Sequence, residues 1–214
     1  MRKSLIAIGL LFVPALFLYL LSIAKMKHKY EKLDVFGEIP AFVATDINGD
    51  TITNDTFKGK IVIYTTLQET CPVKCGINLW FMDQLLMQQL KEKKAIYGDV
   101  RIVSFVTDAN GNPSHHLADM QEILKENVIN YDPKLWLVVS GKPEVIFDIE
   151  HNGQNLKNAT GGEFINNLAY NSLILLADKK NQLRMVMRGD IEGTVRTMKQ
   201  DLALLYQEYA YEKK

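Results

Sequence analysis

The alternation of apolar and polar positions divides the chain into short buried strands and amphipathic helices. The strands are β-branched and aromatic runs bounded by polar turns, a composition typical of buried sheet strands. They are predicted at residues 41–45, 51–53, 61–67, 100–106, 135–139, 173–177 and 183–188. Helices, recognised by apolar positions three and four residues apart, are predicted at residues 75–93, 114–127, 142–149 and 191–211.

The order of these elements is that of an α/β domain. An N-terminal hairpin, turning at Asn48-Gly49-Asp50, precedes a β-α-β-α-β run, and a second hairpin and a closing helix follow. The polar residues 152–167 contain Gly161-Gly162 and are predicted to form a loop near the site. We therefore predict a thioredoxin-like fold, in which a central mixed sheet is flanked by helices, with an added N-terminal hairpin.

The N-terminus has the pattern of a membrane anchor. Residues 5–24 carry no charge, lie between basic residues, and are long enough to cross a bilayer. A cleaved signal peptide is the alternative, but it would have a shorter apolar core and a better small-x-small cleavage site. We predict an anchor at 1–24, a tether at 25–35 and one domain at 36–214. The lysines after the anchor outnumber the basic residues before it, so a literal count would leave the domain in the cytoplasm.

Composition narrows the function classes. The chain has 214 residues, 47% apolar and 23% charged, which suits one globular domain behind the anchor. Its formal net charge is zero, so it lacks the basic footprint of a nucleic-acid-binding protein.

The only two cysteines, Cys71 and Cys75, lie where the strand at 61–67 gives way to the next helix. Free backbone N–H groups and the positive end of the helix dipole at such a junction favour thiolates. Residues four apart on a helix face the same way, with Cα atoms about 6 Å apart. That spacing allows a redox-active disulfide, a structural disulfide, or two thiolates on one soft metal ion.

Between Phe36 and about Leu205, the chain resembles proteins of the SCO/SenC family in several motifs. These motifs are FGEIP at 36–40, FKGK at 57–60, TCPVKC at 70–75, VSFVTD at 103–108 and WLVVSG at 136–141. That family consists of membrane-anchored, thioredoxin-fold proteins that help to assemble the copper site of cytochrome c oxidase.

The resemblance implies a single-pass protein of a bacterial plasma membrane whose domain faces the extracytoplasmic side. We prefer this orientation to the cytoplasmic one that the lysine count gives. The resemblance also implies Cu(I) as the bound metal, with Cys71 and Cys75 as ligands. The expected partner is a cytochrome c oxidase subunit or another thiol-bearing extracytoplasmic protein.

The sequence departs from the family at two positions. Gly76 stands where the family has proline after the second cysteine, and Asn171 stands where the family has its third copper ligand, a histidine. An amide is a poor ligand for Cu(I), although two thiolates alone can hold the ion in a near-linear geometry.

The chain's own histidines offer few replacements for that ligand. His151, before the polar loop, is the best candidate, although a solvent-facing position at a helix end is its ordinary explanation. Neighbouring helical residues point about 100° apart, so His115 and His116 are not expected to share one ion.

Two further functions are consistent with the same cysteines. In a thiol-disulfide oxidoreductase, Cys71 would attack a disulfide and Cys75 would resolve the mixed disulfide. Against this, dedicated oxidoreductases have two residues between their cysteines and a cis-proline facing them. A peroxidase would need a supporting arginine that is absent here. In a non-catalytic anchored interaction domain, the cysteines would form only a structural bridge.

Overall fold

The structure, a computed structural model, describes residues 32–69, 79–155, 173–189 and 191–212, together with Val13, Pro14 and Leu16. The chain divides into two units, Met1–Lys32 and Leu33–Lys214, and the sheet with its covering helices belongs to the second. Cys71, Cys75, Asn171, most of the predicted anchor and residues 25–31 of the predicted tether lie outside the described residues. In the described part of the chain, no helix combines the length and apolarity needed to span a bilayer.

One large mixed sheet organises the domain. The described strands are β1 (Gly37–Glu38), β2 (Val43–Thr45), β3 (Thr51–Thr53), β4 (Ile61–Gln68), β5 (Val100–Thr107), β6 (Trp136–Gly141), β7 (Glu150–His151), β8 (Gln154–Asn155), β9 (Leu173–Ala177) and β10 (Gln182–Arg188). Eight of them form one sheet in the order β1-β10-β9-β4-β5-β6-β2-β3, and β7 pairs with β8. β4, β5 and β6 are parallel, whereas the pairs on either side of them are antiparallel.

Helices cover both faces of this sheet. They are α1 (residues 79–92), α2 (Lys94–Tyr97), α3 (Leu117–Asn127), α4 (Glu144–Phe147) and α5 (Glu192–Glu212), with a 3-10 turn at Asn54–Phe57. α1 contains a wide π-helical stretch at Met82–Met87 and continues as a regular helix through Gln88–Glu92. α3 begins at Leu117 rather than at Ser114, so the two neighbouring histidines precede it. The mixed sheet flanked by helices agrees with the predicted thioredoxin-like architecture.

β4 is apolar along most of its length because both of its faces are covered, as is usual for a central parallel strand. Ile61 and Ile63 face a core formed with α1, α3 and α5. Val62 and Tyr64 face a second core that includes β2, α4 and the 3-10 turn. The strand is thus fixed on both sides up to the point where the cysteine segment begins.

A buried polar contact joins the three parallel strands. The Thr65 and Ser104 hydroxyl oxygens lie 2.6 Å apart, and Trp136 Nε1 donates to Ser104 Oγ at 2.8 Å. Because each group finds its partner inside the core, these side chains fix the strands' relative register without leaving a polar atom unpaired there.

The structure adds two pairings to the predicted elements. β1 pairs with β10, with Gly37 opposite Leu183. β7 and β8 form a small hairpin at the start of the stretch predicted to be a loop, with β7 just before that stretch and β8 inside it. Its two turn residues, Asn152 and Gly153, have φ values of 53° and 75°, as a tight turn between antiparallel strands requires.

A buried arginine ties the second hairpin to the rest of the domain. Arg184, at a bulge in β10, donates to Asp178 at 3.0 Å and to Glu208 of α5 at 2.6 Å. It also donates to the backbone oxygens of Leu33 at 2.7 Å and Asp34 at 3.1 Å. Burial disfavours the charge of Arg184, but the two carboxylates outweigh burial and raise its pKa above the ordinary value.

Candidate functional site

The cysteine segment leaves the domain at the carboxyl end of β4. Gln68, the last residue of that strand, lies opposite Thr107, the last residue of β5. The next backbone N–H, that of Glu69, donates to Thr107 O at 2.9 Å. Covalent geometry lets the chain travel at most about 7 Å over the two residues from Glu69 to Cys71. Groups around Glu69 therefore belong to the surroundings of the first thiol.

The loop after β5 brings a histidine to this position. Ser114 N donates to Val106 O at 2.9 Å, and Ser114 Oγ accepts from His116 N at 2.8 Å. His116 Nδ1 then lies 3.2 Å from Glu69 Oε1, with His116 about 69% and Glu69 about 20% exposed. This is an ion-pair distance without the alignment of a hydrogen bond. An accessible imidazole thus contacts Glu69, the residue two positions before Cys71 in the chain.

The same loop is held by an aspartate that folds back on its own backbone. Asp108 accepts hydrogen bonds from Asn112 Nδ2 at 3.1 Å, Asn112 N at 2.9 Å and Asn110 N at 2.8 Å. These bonds, led by the one from the Asn112 side chain, lower the pKa of Asp108 below its ordinary value. Because the carboxylate stays ionised, it holds the turn that leads to His116 in one conformation.

Two buried polar atoms at this rim lack a hydrogen-bond partner within the described ranges. They are the Thr107 hydroxyl and Glu69 Oε1. Thr107 is 1% exposed, so its hydroxyl is also withheld from bulk water. Unpaired buried polar atoms are uncommon and tend to mark functional surroundings. The rim thus has donor and acceptor capacity that the described residues leave unused.

His151 occupies a different place from the one predicted. It lies in β7, not at a helix end, and its ring is half-buried against Phe36, with centroids 5.2 Å apart. Its Nδ1 is 3.1 Å from Phe36 O, and Phe36 N donates to Leu183 O of β10. β9 and β10 separate β1 from β4, a distance of about 14 Å at ordinary strand spacing. The contact with Phe36 therefore holds His151 towards the β1 edge and not towards the end of β4.

The described residues do not form a complete metal site by themselves. In the described ranges, no group of three or more His, Asp and Glu side chains is arranged to hold a metal ion. Cys71, Cys75 and Asn171 fall outside those ranges. Imidazole suits copper alongside thiolates, so the donor type at His116 is compatible with a site completed there.

Glu69 and His116 were not singled out together from the sequence. The signal that could have found them is the parallel pairing of β4 and β5, because the carboxyl ends of parallel strands meet at one edge of a sheet. Glu69 follows one strand directly, and His116 follows the other after a loop anchored by Ser114.

The sheet order and the helices on both faces define an α/β protein of thioredoxin-like fold, and solved structures share it. BsSco, a member of the Sco family of cytochrome c oxidase assembly proteins, aligns with a TM-score of 0.59 and 15% identity, over 82% of this chain and 98% of that one. Yeast Sco1 with copper bound gives a TM-score of 0.51 and 17% identity, over 79% and 90%.

A third similar structure comes from Bacteroides thetaiotaomicron and is described as a candidate protein disulfide isomerase. It gives a TM-score of 0.54 and 14% identity, over 85% of this chain and 95% of that one. No protein-family model and no curated protein matches the sequence. The resemblance to Sco proteins, predicted from the motifs, is confirmed by this similarity of fold. The Bacteroides structure shares the same fold.

Proposed function

We propose that this chain is a Sco-like thiol protein that assists the assembly of a copper site in cytochrome c oxidase through Cys71 and Cys75. In this proposal it is tethered to the plasma membrane by residues 1–24, with its domain on the extracytoplasmic side. The observation that carries the proposal is the junction at Glu69. There a central strand, covered on both faces, leads into the cysteine segment beside an exposed imidazole.

The copper form of the proposal treats Cu(I) as cargo. Two thiolates would hold the ion, and His116 would supply the imidazole that the family has at the position of Asn171. With His116 Nδ1 turned towards Glu69, Nε2 is the nitrogen left for a metal. A ligating histidine commonly donates its other ring N–H to a carboxylate, which orients the ring and raises the basicity of the ligand, and Glu69 would take that part if the contact closed to a hydrogen bond.

The second form of the proposal is reduction of the receiving subunit's disulfide. The Cys71 thiolate attacks one sulfur of that disulfide, and the other sulfur leaves as a thiolate. Cys75 then attacks Cys71, which releases the second thiol of the partner and leaves a Cys71–Cys75 disulfide in this chain. The similarity to the Bacteroides structure supports this form.

A Cu(I) titration of the reduced domain, residues 25–214, against a competing chelator tests the copper form. We expect one-to-one binding that is lost in the Cys71→Ser/Cys75→Ser variant. His116→Ala should weaken binding about 10–100-fold, the range seen when groups around metal sites are removed. His115→Ala is the matched control, and His151→Ala tests the ligand suggested by the sequence; both should bind as the parent does.

The outcomes separate the alternatives. Binding no tighter than in the cysteine-free variant would exclude copper carriage, and a loss in His151→Ala but not in His116→Ala would refute the role given to His116. The exchange form is tested with Cys75→Ser, which should trap a mixed disulfide between Cys71 and a disulfide-bearing peptide. Failure to trap it, together with a Cys71–Cys75 bond that resists mild reductant in the folded chain, would leave a structural bridge.

A further inference from the structure

Basic residues line two clefts at the end of the sheet opposite the carboxyl end of β4. The amino ends of β4, β5 and β6 lie there, together with the β9–β10 turn, because Ala177 at the end of β9 is opposite Val62 near the start of β4. β4 and β5 are each eight residues long, which is about 23 Å at ordinary strand rise. A ligand bound at this end would lie far from the carboxyl end of β4, where the cysteine segment begins.

A cleft of about 430 Å³ opens at this end between α1, α2 and the segment before β6. Its apolar surface comes from Leu90, Tyr97 and Leu135. Four basic residues line it against a single carboxylate, that of Asp132; they are Lys91, Lys94, Arg101 and Lys134. A cleft that combines an apolar floor with excess positive charge suits an anion attached to an apolar group.

The basic groups of this cleft play two different parts. Lys91 Nζ donates to Ile129 O at 2.8 Å, and Arg101 donates to the backbone oxygens of Gly98 at 2.9 Å and Val100 at 2.6 Å. The side chains of Lys91 and Arg101 are therefore held in place by the protein and form the sides of the cleft. Lys94 and Lys134 are exposed, and neither side chain forms a hydrogen bond or ion pair with another described residue. Their ammonium groups are available to a ligand.

A second basic cleft, of about 230 Å³, lies at the same end of the sheet, at the start of β4, and includes Lys58, Lys60 and Lys180. Asp99 joins the two, since its backbone oxygen accepts from Ile61 N at 3.2 Å and its carboxylate pairs with Lys179. We call the two clefts together the basic pole.

Most of the carboxylates at the basic pole are already engaged. Asp99 is paired with Lys179, Asp178 is paired with Arg184, and Asp132 accepts from the backbone N–H of Lys134 at 2.9 Å. Asp55 of the second cleft is the remaining one. The pole therefore presents a clear excess of positive charge to solvent.

Two large apolar side chains stand exposed beside the first cleft. Ile96 lies in α2 between Lys94 and Tyr97, and Ile129 offers its backbone oxygen to Lys91; each is 54% exposed. Lysines interleaved with exposed aliphatic side chains are typical of surfaces that bind the headgroup region of a bilayer. A bilayer would cover these two isoleucines, whereas a soluble anion would leave them in water.

We propose that the basic pole docks on an anionic phospholipid surface, with a lipid phosphate held by Lys94 and Lys134 and with Ile96 and Ile129 in contact with the acyl boundary. The chain enters the domain nearby, because Arg184, which holds Leu33 and Asp34, follows the β9–β10 turn directly. Docked in this way, the domain points the carboxyl end of β4 away from the lipid.

The test uses the full chain in neutral non-ionic detergent micelles, into which phosphatidylglycerol or phosphatidylcholine is titrated. Amine-reactive labelling of each lysine is followed by mass spectrometry. Phosphatidylglycerol should slow labelling of Lys94 and Lys134 at least about threefold, and high salt should restore the rate because it screens the charges. Lys142, exposed beyond the carboxyl end of β6, should label at an unchanged rate.

Variants sharpen the test. Each lysine near an anionic surface contributes about fivefold in affinity. The double variant Lys94→Gln/Lys134→Gln should therefore need a roughly 25-fold higher phosphatidylglycerol fraction to halve the labelling rate of Lys58 and Lys60. Lys142→Gln should leave it unchanged. Equal protection by phosphatidylcholine, or protection centred on Lys142, would overturn the proposal. Protection by inorganic phosphate as strong as that by phosphatidylglycerol would also overturn it and assign the cleft to a soluble phosphate.

Discussion

Replacement of Arg184 by methionine should be among the most destabilising single changes in the domain. The arginine side chain is about 2% exposed, and its ion-pair partners Asp178 and Glu208 are nearly as buried. Methionine keeps most of the aliphatic volume, so the loss is mainly electrostatic. The variant also loses the contacts that hold the backbone of Leu33 and Asp34 against β10.

The magnitude follows from the buried charges. Removing one partner from a buried ion pair costs about 3–5 kcal/mol, because the remaining charge stays out of water without compensation. Asp178 keeps two other hydrogen bonds, from the backbone N–H groups of Lys180 and Gln182, which places the expected cost towards the lower figure. A loss of about 3 kcal/mol is a large share of the 5–15 kcal/mol typical of a whole domain.

Urea unfolding of residues 25–214, followed by circular dichroism, measures the effect and keeps the Leu33 and Asp34 contacts in the fragment. Arg196→Met is the matched control, because Arg196 pairs with Glu192 while about 61% exposed and should cost less than about 0.5 kcal/mol. A triple variant, Arg184→Met, Asp178→Asn and Glu208→Leu, should recover stability relative to Arg184→Met. A cost below about 1 kcal/mol for Arg184→Met, or a triple variant less stable than the single one, would refute this reasoning.

Two further predictions concern the sheet and its pH dependence. Burial raises the pKa of Asp99, but hydrogen bonds from Lys179 and Tyr206 outweigh it and leave that pKa below its ordinary value. The stabilising contribution of ionised Asp99 is therefore complete above about pH 4 and is lost as the pH falls further. In urea unfolding measured at about half-unit pH steps, the midpoint should therefore fall less steeply between about pH 5 and pH 3 for Asp99→Asn than for the parent. An equally steep fall in the two proteins would contradict this prediction. A Cβ at Gly141 would lie 2.8 Å from Ala44 Cβ, so Gly141→Ala should cost about 1–3 kcal/mol, and Ala44→Gly should reduce that cost in a double-mutant cycle. Additive effects of the two changes would rule out the clash.

The strands that carry the core were predictable because their own composition determines them. β4 and β5 are β-branched runs covered on both faces, and their observed limits differ from the predicted ones by one residue. The closing hairpin also follows from its pattern. β1 was not predictable, because its two residues form a strand only by pairing with β10, far along the chain.

The other features that the sequence did not predict have similar causes. The turn of Asn152 and Gly153 is a hairpin signal, but the residues around it are polar and carry no strand pattern. The π-helical stretch in α1 contains a buried carboxylate, Asp83, which accepts hydrogen bonds from the side chains of Gln84 and Gln88 and from the backbone N–H of Ile129. The bond from Ile129 depends on a tertiary contact, so no local pattern could indicate it. The contact of His116 with Glu69 likewise depends on two strands being neighbours.

The position of β4 in the sheet also has a consequence for how the chain is made. Its neighbour on one side, β5, follows soon after it, but its neighbour on the other side, β9, begins only at Leu173. At about 5–20 residues per second, a ribosome needs on the order of ten seconds to deliver β9 and β10 after β4. Until then a strand that is buried in the finished domain has one unpaired edge, which is a template for pairing with other chains. A nascent chain of this protein is therefore expected to need protection from aggregation before its last third has been synthesised.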